Sequence, residues 1–254
     1  MKVVILAGGR PSTITDEQGG IPKPMAEIGG RPLIWHIMKS FSSHGFQDFI
    51  VCGGYKVEML KEYFLNYEYY ESDITIDLGN GSVQVHNHPQ EEWKVMVVNT
   101  GLNASTAQRV AQIENYIREE DFIVTYGDCL SDIDILGLLD FHRKHKKLVT
   151  LAVAGTTGRN EALRMDDTGK LLEKASDVVS GAWTNACTYV LRKEVFSLLD
   201  NGVLHLEQQL MNKLVPLGEM VTYKHYGFWV PVETYRDRMR LEQMWSSGNV
   251  PWLG

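Results

Sequence analysis

Short apolar runs of strand length alternate, in the first part of the chain, with stretches whose apolar residues recur at helical spacing. The run VVILAG at 3–8 is rich in β-branched residues and ends in glycine, which predicts a buried parallel strand. The same reasoning predicts further strands and helices, at 48–54, 121–134 and 148–154 for strands and at 31–45, 57–67 and 134–146 for helices. Strands and helices in alternation imply right-handed crossovers and a Rossmann-like, doubly wound α/β sheet.

Two parts of the chain depart from this alternation. Residues 73–88 alternate polar and apolar positions on both sides of a Gly-Asn-Gly sequence, which predicts an inserted β-hairpin. From about residue 155 onward the pattern is mixed, with a hairpin-like stretch at 163–175, a strand at 186–192 and a helix at 205–215. We interpret residues 1–254 as a single domain in which 155–254 form a second part, continuous with 1–154.

Composition and charge narrow the class of protein. The chain has 254 residues, a formal net charge of -7 and no basic run, so nucleic acid is not expected as its main partner. Cys52, Cys129 and Cys187 lack the paired spacing of a disulfide framework or a zinc site, and a reduced cytoplasmic location is expected. The longest apolar runs are of strand length, so no membrane partner is expected either.

Ligands of doubly wound sheets bind beyond the carboxyl ends of the strands. The segments AGGR, CGGYK and YGDC, which follow predicted strands, are therefore the places to look for chemistry. In the first of them, Gly8 and Gly9 allow a ligand to approach the backbone, and successive N–H groups there can form an anion cradle. Glycine pairs also follow strands without binding anything, so this motif alone leaves both interpretations open.

Several motifs taken together are more specific. The segments LAGG, PKPM, EIGG-RPLIWHIM, YGDC and FWVPVETYRD resemble those of sugar-1-phosphate nucleotidylyltransferases, most of all the branch that transfers a cytidylyl group to glucose 1-phosphate. The resemblance runs nearly from end to end, through KEYFLNY, SDITIDL and EEWKVMVVNTG. It implies the nucleotide-diphospho-sugar transferase fold, with 1–154 binding the nucleotide and 155–254 binding the acceptor.

The resemblance also implies a reaction. An oxygen of the sugar phosphate attacks the α-phosphorus of CTP, and CDP-sugar and pyrophosphate form with the help of Mg²⁺. Asp128 in YGDC would be one metal carboxylate. Glu233 in WVPVETYRD would be the second, at a position where the family has aspartate. Asp237 is interpreted as structural, with Arg236 as its suggested partner. Mg²⁺ prefers one or two carboxylates together with phosphate oxygens and water, which suits this pair.

Further residues are assigned to the substrates by the same resemblance. Lys23, held between two prolines, would meet the triphosphate and the reacting phosphate. Glu173 would accept hydroxyl groups of the sugar, and Lys174 would hold the acceptor phosphate. Substrate-binding roles are also expected at strand ends and in the NACTY segment, for Ala7, Gly8, Gly9, Thr100, Gly101 and Asn185.

The loop after the first strand departs from the family. Pro11 stands where the family has a third glycine, and Thr13 stands where it has an arginine that stabilises the transition state. Proline removes an N–H donor and fixes φ, so this loop cannot cradle a phosphate in the usual manner. Our hypothesis is that Arg10, or else Arg31, supplies the missing charge, with Arg10 counted among the catalytic residues.

Other departures leave alternatives open. Cys129 replaces a glycine of the family, NACTY replaces a glycine-rich segment, and Glu161 also stands at a glycine position, which raises the possibility of another acceptor. The segment ASTAQR at 104–109 leaves the base preference open, with UTP and dTTP as alternatives to CTP. An alternative of another class is a catalytically silent homologue that binds nucleotide or sugar phosphate. A homo-oligomer is expected, with the hairpin and the tail around Trp245 and Trp252 as possible contact surfaces.

Overall fold

The structure is a computed structural model, and it describes residues 1–9, 20–155, 162–166, 169–175, 183–200, 202 and 204–254. At 162, 164 and 173–175 only the backbone is described. Arg10, Pro11, Thr13 and Glu161 therefore lie outside the described residues, and the hypothesis about Arg10 stays a prediction.

The described strands are numbered β1 to β15 in chain order: Lys2–Ala7, Glu27–Ile28, Arg31–Pro32, Asp48–Gly53, Asp73–Asp77, Ser82–His86, Lys94–Asn99, Asp121–Tyr126, Cys129–Ser131, Val149–Gly155, Ala162–Met165, Leu171–Ala175, Trp183–Arg192, Met220–His225 and Trp229–Pro231. The described helices are numbered α1 to α7: Leu33–Ser43, Val57–Leu65, Tyr67–Glu71, Thr106–Ala111, Ile135–His145, Leu206–Leu214 and Tyr235–Ser246. Among them, no helix has both the length and the apolar character needed to cross a bilayer.

Nine strands form one mixed sheet with β1 near its centre. Strands β8, β1, β4 and β7 lie side by side and parallel, so β1 has a later strand on each side, as a doubly wound fold requires. Strand β13 pairs antiparallel with β8 and with β10, and β14 adds to β10 in parallel. The predicted α/β class is confirmed. Because the sheet continues through β10, the division at residue 154 stays a prediction.

The two faces of the sheet carry separate hydrophobic cores. Side chains of a strand point to opposite faces in turn, so Val3 and Ile5 join one core while Val4 and Leu6 join the other. Helices α1, α2, α5 and α7 cover the first face, and helices α4 and α6 cover the second. Both faces of the inner parallel strands β1, β4 and β8 are thus buried, which explains why their sequences are continuous apolar runs, whereas β7 at the sheet edge is partly exposed.

The structure corrects the sequence-based prediction at several places, and strand β14 and helix α7 are among the elements that the sequence did not predict. The strand predicted at 121–134 is two strands, because the chain turns at Gly127 and Asp128 between β8 and β9. Strand β9 leaves the main sheet and pairs with β15 in a separate ladder. Strand β7 and helix α4 were not predicted from periodicity. The hairpins at 73–88 and 163–175 are confirmed as β5–β6 and β11–β12.

The chain's carboxyl-terminal tail folds back onto its own core. Trp252 is fully buried, and its indole N–H donates to Nδ1 of His36 at 3.2 Å. The other ring nitrogen of His36 lies 2.8 Å from the carbonyl oxygen of Ile28. At Gly29 (φ +58°) a side chain would collide with the indole of Trp245, so glycine is required there. The tail was one of two surfaces expected to contact another copy of the chain, and it packs against its own chain instead.

Candidate active site

Two cavities open at the carboxyl ends of the central strands, and they share Tyr126 and Asp128. The first, about 230 Å³, lies over the end of β1 and is lined by Ala7, Gly8, Gly9 and Lys23, among others. The second cavity has a volume of about 380 Å³. Its opposite side is formed by β9, β13 and β15 and by Glu233, which follows β15. The lining residues there include Cys129, Asn185, Cys187 and Trp229. The predicted nucleotide side and acceptor side thus meet at Asp128.

Lys23 and Asp128 form an ion pair where the two cavities meet. The Lys23 ammonium donates to Oδ2 of Asp128 at 3.2 Å, and both side chains are about a quarter exposed. Lys23 is the first residue of a 3-10 turn and lies between Pro22 and Pro24, of which Pro24 is buried. Because proline fixes φ, the backbone that carries Lys23 has little freedom. The charge of Lys23 is therefore held in the cavity within reach of an anionic ligand.

The β9–β15 ladder brings the two predicted metal carboxylates to the same cavity. Pro231 lies opposite Cys129 in this ladder, and the N–H of Val232 donates to the carbonyl oxygen of Asp128 at 2.7 Å. Glu233, the next residue, therefore lies beside Asp128 although 105 positions separate them in sequence. Glu233 also directly precedes helix α7, so its place is fixed from both sides.

The residue that begins helix α7 explains the role of Asp237. Oδ2 of Asp237 accepts from the N–H and the hydroxyl of Thr234, at 2.9 and 2.7 Å, and the hydroxyl of Thr234 accepts in return from the N–H of Asp237. This is a capping box at the start of α7. The structural interpretation of Asp237 agrees with these contacts, but its partner is Thr234 and not the suggested Arg236.

The donor set of the second cavity suits a hard cation that keeps ligands from the substrate. Asp128 and Glu233 supply two carboxylates, and no group of three or more metal-binding side chains occurs among the residues that the structure describes. Mg²⁺ is commonly held by one or two carboxylates, with phosphate oxygens and water completing its coordination. The side chains present therefore fit Mg²⁺ better than a metal that needs an all-protein cage.

Arg109 is a functional candidate that sequence reasoning missed. Its side chain is almost fully buried beneath the first cavity, where the guanidinium donates to the carbonyl oxygens of Gly8 and Gly101 at 2.8 Å and to Oγ1 of Thr100 at 2.5 Å. A weaker contact reaches the carbonyl oxygen of Gly53 at 3.3 Å. Arg109 thus ties together the ends of β1, β4 and β7.

The neighbourhood of Arg109 is polar but carries no carboxylate among the contacts just given. Burial lowers the pKa of Arg109 from its ordinary value, although a guanidinium stays charged at any physiological pH. A side chain at Gly8 would collide with this guanidinium, so the glycine is required for the close approach. The one signal in the sequence was a basic residue next to the apolar positions Ala107 and Val110 of a short helix.

The other predicted nucleotide contacts divide into two groups. Ala7, Gly8 and Gly9 line the first cavity, in agreement with their predicted place. The hydroxyl of Thr100 is buried, donates to the carbonyl oxygen of Gly53 at 2.6 Å and accepts from Arg109. Thr100 and the carbonyl of Gly101 therefore hold Arg109, and neither residue lines that cavity.

Asn185 shapes the wall of the second cavity. Its amide group donates to the hydroxyl of Tyr189 at 2.6 Å and accepts from the N–H of Cys187 at 2.8 Å. The register between β10 and β13 shifts at this point, which marks a β-bulge, and Cys187 within it has a φ of +64°. Bulges next to active sites redirect side chains, and here the bulge places Cys187 on the cavity wall.

Three further predicted residues lie elsewhere or are described only in part. Arg31 forms an ion pair with Glu71 and lies over the ring of Trp35 at 5.1 Å, and it lines neither cavity. It is therefore a poor substitute for the missing loop arginine. The backbone of Glu173 and Lys174 lies in β12, as predicted for a strand, while their side chains are outside the described residues.

Comparison with known proteins extends these observations. Residues 2–216 match the family described as Nucleotidyl transferase. The glucose-1-phosphate cytidylyltransferase of Salmonella typhimurium is 40% identical over 255 residues, covering 99% of this chain and 98% of that protein. The enzyme of the same name from Salmonella typhi is 40% identical over 253 residues, with the same coverage. The crystal structure of HddC from Yersinia pseudotuberculosis has a TM-score of 0.76 at 18% identity, covering 96% of this chain and 99% of that one.

The relatives and the fold lead to the same assignment. The likeness to HddC concerns the fold, and it agrees with the doubly wound sheet described above. The resemblance inferred from the sequence motifs is confirmed by relatives that align over almost their entire length. The family match covers the strands and loops that form both cavities, except for β15 and Glu233, which follow its last residue. The chain belongs to the nucleotidyl transferase family and is a nucleotidyltransferase.

Proposed function

We propose that the chain joins CTP and glucose 1-phosphate to give CDP-glucose and pyrophosphate. The observation that carries this proposal is the pair of cavities that meet at Asp128, one above the glycines after β1 and the other beside Glu233. A reaction between two anionic substrates needs two neighbouring sites with cations at their junction. The choice of CTP and glucose 1-phosphate is supported by the relatives that are 40% identical and carry that activity in their names.

The first cavity is suited to a nucleotide. Its floor is formed by Gly8 and Gly9, where the backbone is accessible because neither residue has a side chain. Beneath it, the buried charge of Arg109 contributes a positive potential that favours a phosphate chain. Lys23 projects into the same cavity from the opposite side, and its ammonium can donate to oxygens of the reacting phosphate.

The second cavity is suited to the acceptor and to a divalent cation. Asp128 and Glu233 would hold Mg²⁺ there. When bound, the cation neutralises phosphate charge and aligns the attacking and leaving oxygens. Trp229 contributes an apolar wall, and its indole N–H is bound to the carbonyl oxygen of Ala186 at 3.1 Å, which fixes the ring in place. Binding between this wall and the carboxylates would direct the acceptor oxygen at the α-phosphorus.

The other functions are not favoured. A silent homologue that only binds ligand would have no need for a lysine paired with one of two neighbouring carboxylates. Another nucleotide or acceptor phosphate would use the same residues in the same roles, but the full-length relatives favour CTP and glucose 1-phosphate. The cytoplasm is the expected location, in keeping with three cysteines that are all free thiols.

We also propose that the chain forms a homo-oligomer through the β5–β6 hairpin. One face of this hairpin presents apolar side chains that are 39% to 52% exposed, namely Ile74, Ile76 and Val83. A hairpin of two strands is marginally stable by itself, so a further surface is needed to cover it. A second copy of the chain is the occupant we propose, because a two-fold axis would bring the same apolar face of both copies together and remove both faces from water.

The proposed reaction is tested by identifying its product. The protein is incubated with CTP, glucose 1-phosphate and Mg²⁺, and the nucleotides are separated by chromatography and identified by mass. CDP-glucose is the expected product, with one pyrophosphate released for each molecule formed. If the only product contains another sugar or another base, the proposed substrates are wrong, but the proposed type of reaction stands. No product with any pair would overturn the enzymatic function.

A further inference from the structure

Two cysteines meet on the wall of the second cavity. Cys129 begins β9 directly after Asp128, and Cys187 lies in the bulge of β13, so they come from different ladders. The Cys129 thiol donates to Oδ1 of Asp128 at 3.8 Å, and the Cys187 thiol donates to the carbonyl oxygen of Asn185 at 4.0 Å. Both residues line the cavity that Asp128 and Glu233 share, and Cys187 is near enough to Cys129 to raise the pKa of its thiol. Cys129 is buried, whereas Cys187 is half-buried, so one thiol of the pair is accessible from the cavity.

The backbone conformation at Cys187 shows that a side chain at this position carries an energetic cost. Its φ of +64° lies in the left-handed region, which glycine adopts without cost and a cysteine adopts only under strain. The resembling family has glycine both at this position and at that of Cys129. This chain therefore carries two thiols on the wall of one cavity, at two positions where no side chain is needed for the fold.

We propose that Cys129 and Cys187 are an oxidisable dithiol, and that a hydroperoxide converts them to a disulfide inside the acceptor cavity. The sulfur of Cys187 attacks the outer peroxide oxygen, which gives a sulfenic acid and releases water or an alcohol. The sulfur of Cys129 then attacks the Cys187 sulfur, the S–S bond forms, and the sulfenic hydroxyl leaves as water with the thiol proton. Two thiols lose two electrons, and the peroxide gains them.

The location of the pair gives the disulfide a consequence. Bond formation draws Cys129 toward the bulge, and Cys129 is covalently joined to Asp128, which lies at the junction of the two cavities. The carboxylate of Asp128 is expected to move with its neighbour, so the oxidised protein loses nucleotidyl transfer. This consequence rests on the proposed function, whereas the disulfide does not.

The disulfide is tested by counting thiols. The protein is treated with hydrogen peroxide, denatured, and its free thiols are titrated, followed by mass mapping of a non-reduced digest. Free thiols are expected to fall from three to one, with a peptide that joins Cys129 to Cys187, and dithiothreitol should restore all three. The Cys52→Ala variant, which alters a cysteine buried on β4, should still form the bond, whereas Cys187→Gly should not.

Other results of the thiol count would overturn the proposal. These are three free thiols after treatment, a bond between Cys187 residues of two chains, or irreversible oxidation of Cys187 without a bond. The second measurement is turnover before and after peroxide, each variant being compared with its own untreated rate. The turnover rate of wild type is expected to fall at least tenfold after peroxide and to recover with dithiothreitol. The rate of Cys187→Gly should be the same before and after peroxide. A disulfide with unchanged turnover would overturn the loss of function and leave the dithiol standing.

Discussion

The ammonium of Lys23 lies 3.2 Å from a carboxylate oxygen of Asp128. These residues are 105 positions apart in the chain, and they meet where the first cavity joins the second. One group is suited to phosphate oxygens and the other to a cation, so their proximity places both kinds of charge at the site of bond exchange. The functional assignment rests on this pair together with Glu233.

Replacing Lys23 by methionine should remove the charge and keep most of the volume. Loss of one positioned donor to a transition state typically costs about 3–4 kcal/mol, so kcat/KM should fall roughly a hundred- to thousandfold. Steady-state kinetics measure the effect. The matched control is Lys144→Met, at an exposed position of α5, which should keep the wild-type rate. A Lys23→Met enzyme as fast as the control would remove Lys23 from the mechanism.

Replacing Arg109 by lysine should destabilise the fold. A lysine cannot reach the carbonyls of Gly8 and Gly101 and the hydroxyl of Thr100 together, which leaves buried acceptors unsatisfied. We expect the free energy of unfolding to fall by about 2–4 kcal/mol. Urea titration measures it, with Arg118→Lys on the surface as the control. Equal stability of both variants would show that Arg109 does not hold the strand ends together.

Stability should decrease as the pH falls below about 6.5. Burial lowers the pKa of His36 from its ordinary value of 6.5, so the folded protein keeps the ring neutral. Below this pH, His36 binds a proton in the unfolded chain but not in the folded chain. The free energy of unfolding therefore decreases as the pH falls. Burial also lowers the pKa of His142, which adds a change of the same sign.

Urea unfolding at pH 7.5 and 5.5 measures this dependence. The difference between the two pH values should be smaller in His36→Gln than in wild type. His44→Gln, which changes the residue that follows α1, should leave it unaltered. If the difference is as large in His36→Gln as in the control, another group is responsible for it.

Replacing Ile76 by lysine should separate the oligomer. Ile76 is 52% exposed on the hairpin and lies opposite Val83, so a charge there would have to be buried in the proposed contact between copies. Light scattering after size-exclusion chromatography should show a smaller mass for Ile76→Lys than for wild type. Leu65→Lys, at an exposed apolar position of α2, serves as the control. A wild-type chain that is monomeric, or an unchanged mass in Ile76→Lys, would contradict the hairpin contact.

The parts of the fold that depend on local pattern were predictable from the sequence. Strands β1 and β4 are continuous apolar runs because both faces of the sheet are covered, and the hairpin shows the alternation of a two-stranded ribbon. The break between β8 and β9 was not predictable in this way. Strand β9 exists because it pairs with β15, about a hundred residues later, and no local signal reports that pairing.

The candidate site likewise contains residues that the sequence predicted and residues that it did not. Asp128, Glu233 and Lys23 were found through motifs, and the structure places them at one junction. Arg109 was missed because a charge on a short helix is usually solvated. Its burial depends on carbonyl groups from three strands that are remote in sequence. The position of Cys187 on the same cavity wall as Cys129 likewise depends on a bulge that only the register of β13 reveals.

The most direct measurement is the rate of pyrophosphate release by wild type and Asp128→Asn, with CTP and glucose 1-phosphate, with and without Mg²⁺. Asp140→Asn, on the exposed side of α5, is the matched control. We predict release by wild type that requires both substrates and Mg²⁺, the same rate in Asp140→Asn, and a rate lower by roughly a hundredfold or more in Asp128→Asn. Wild-type release that persists at the same rate in Asp128→Asn, or no release by wild type while CTP still binds, would contradict a nucleotidyl transfer centred on Asp128.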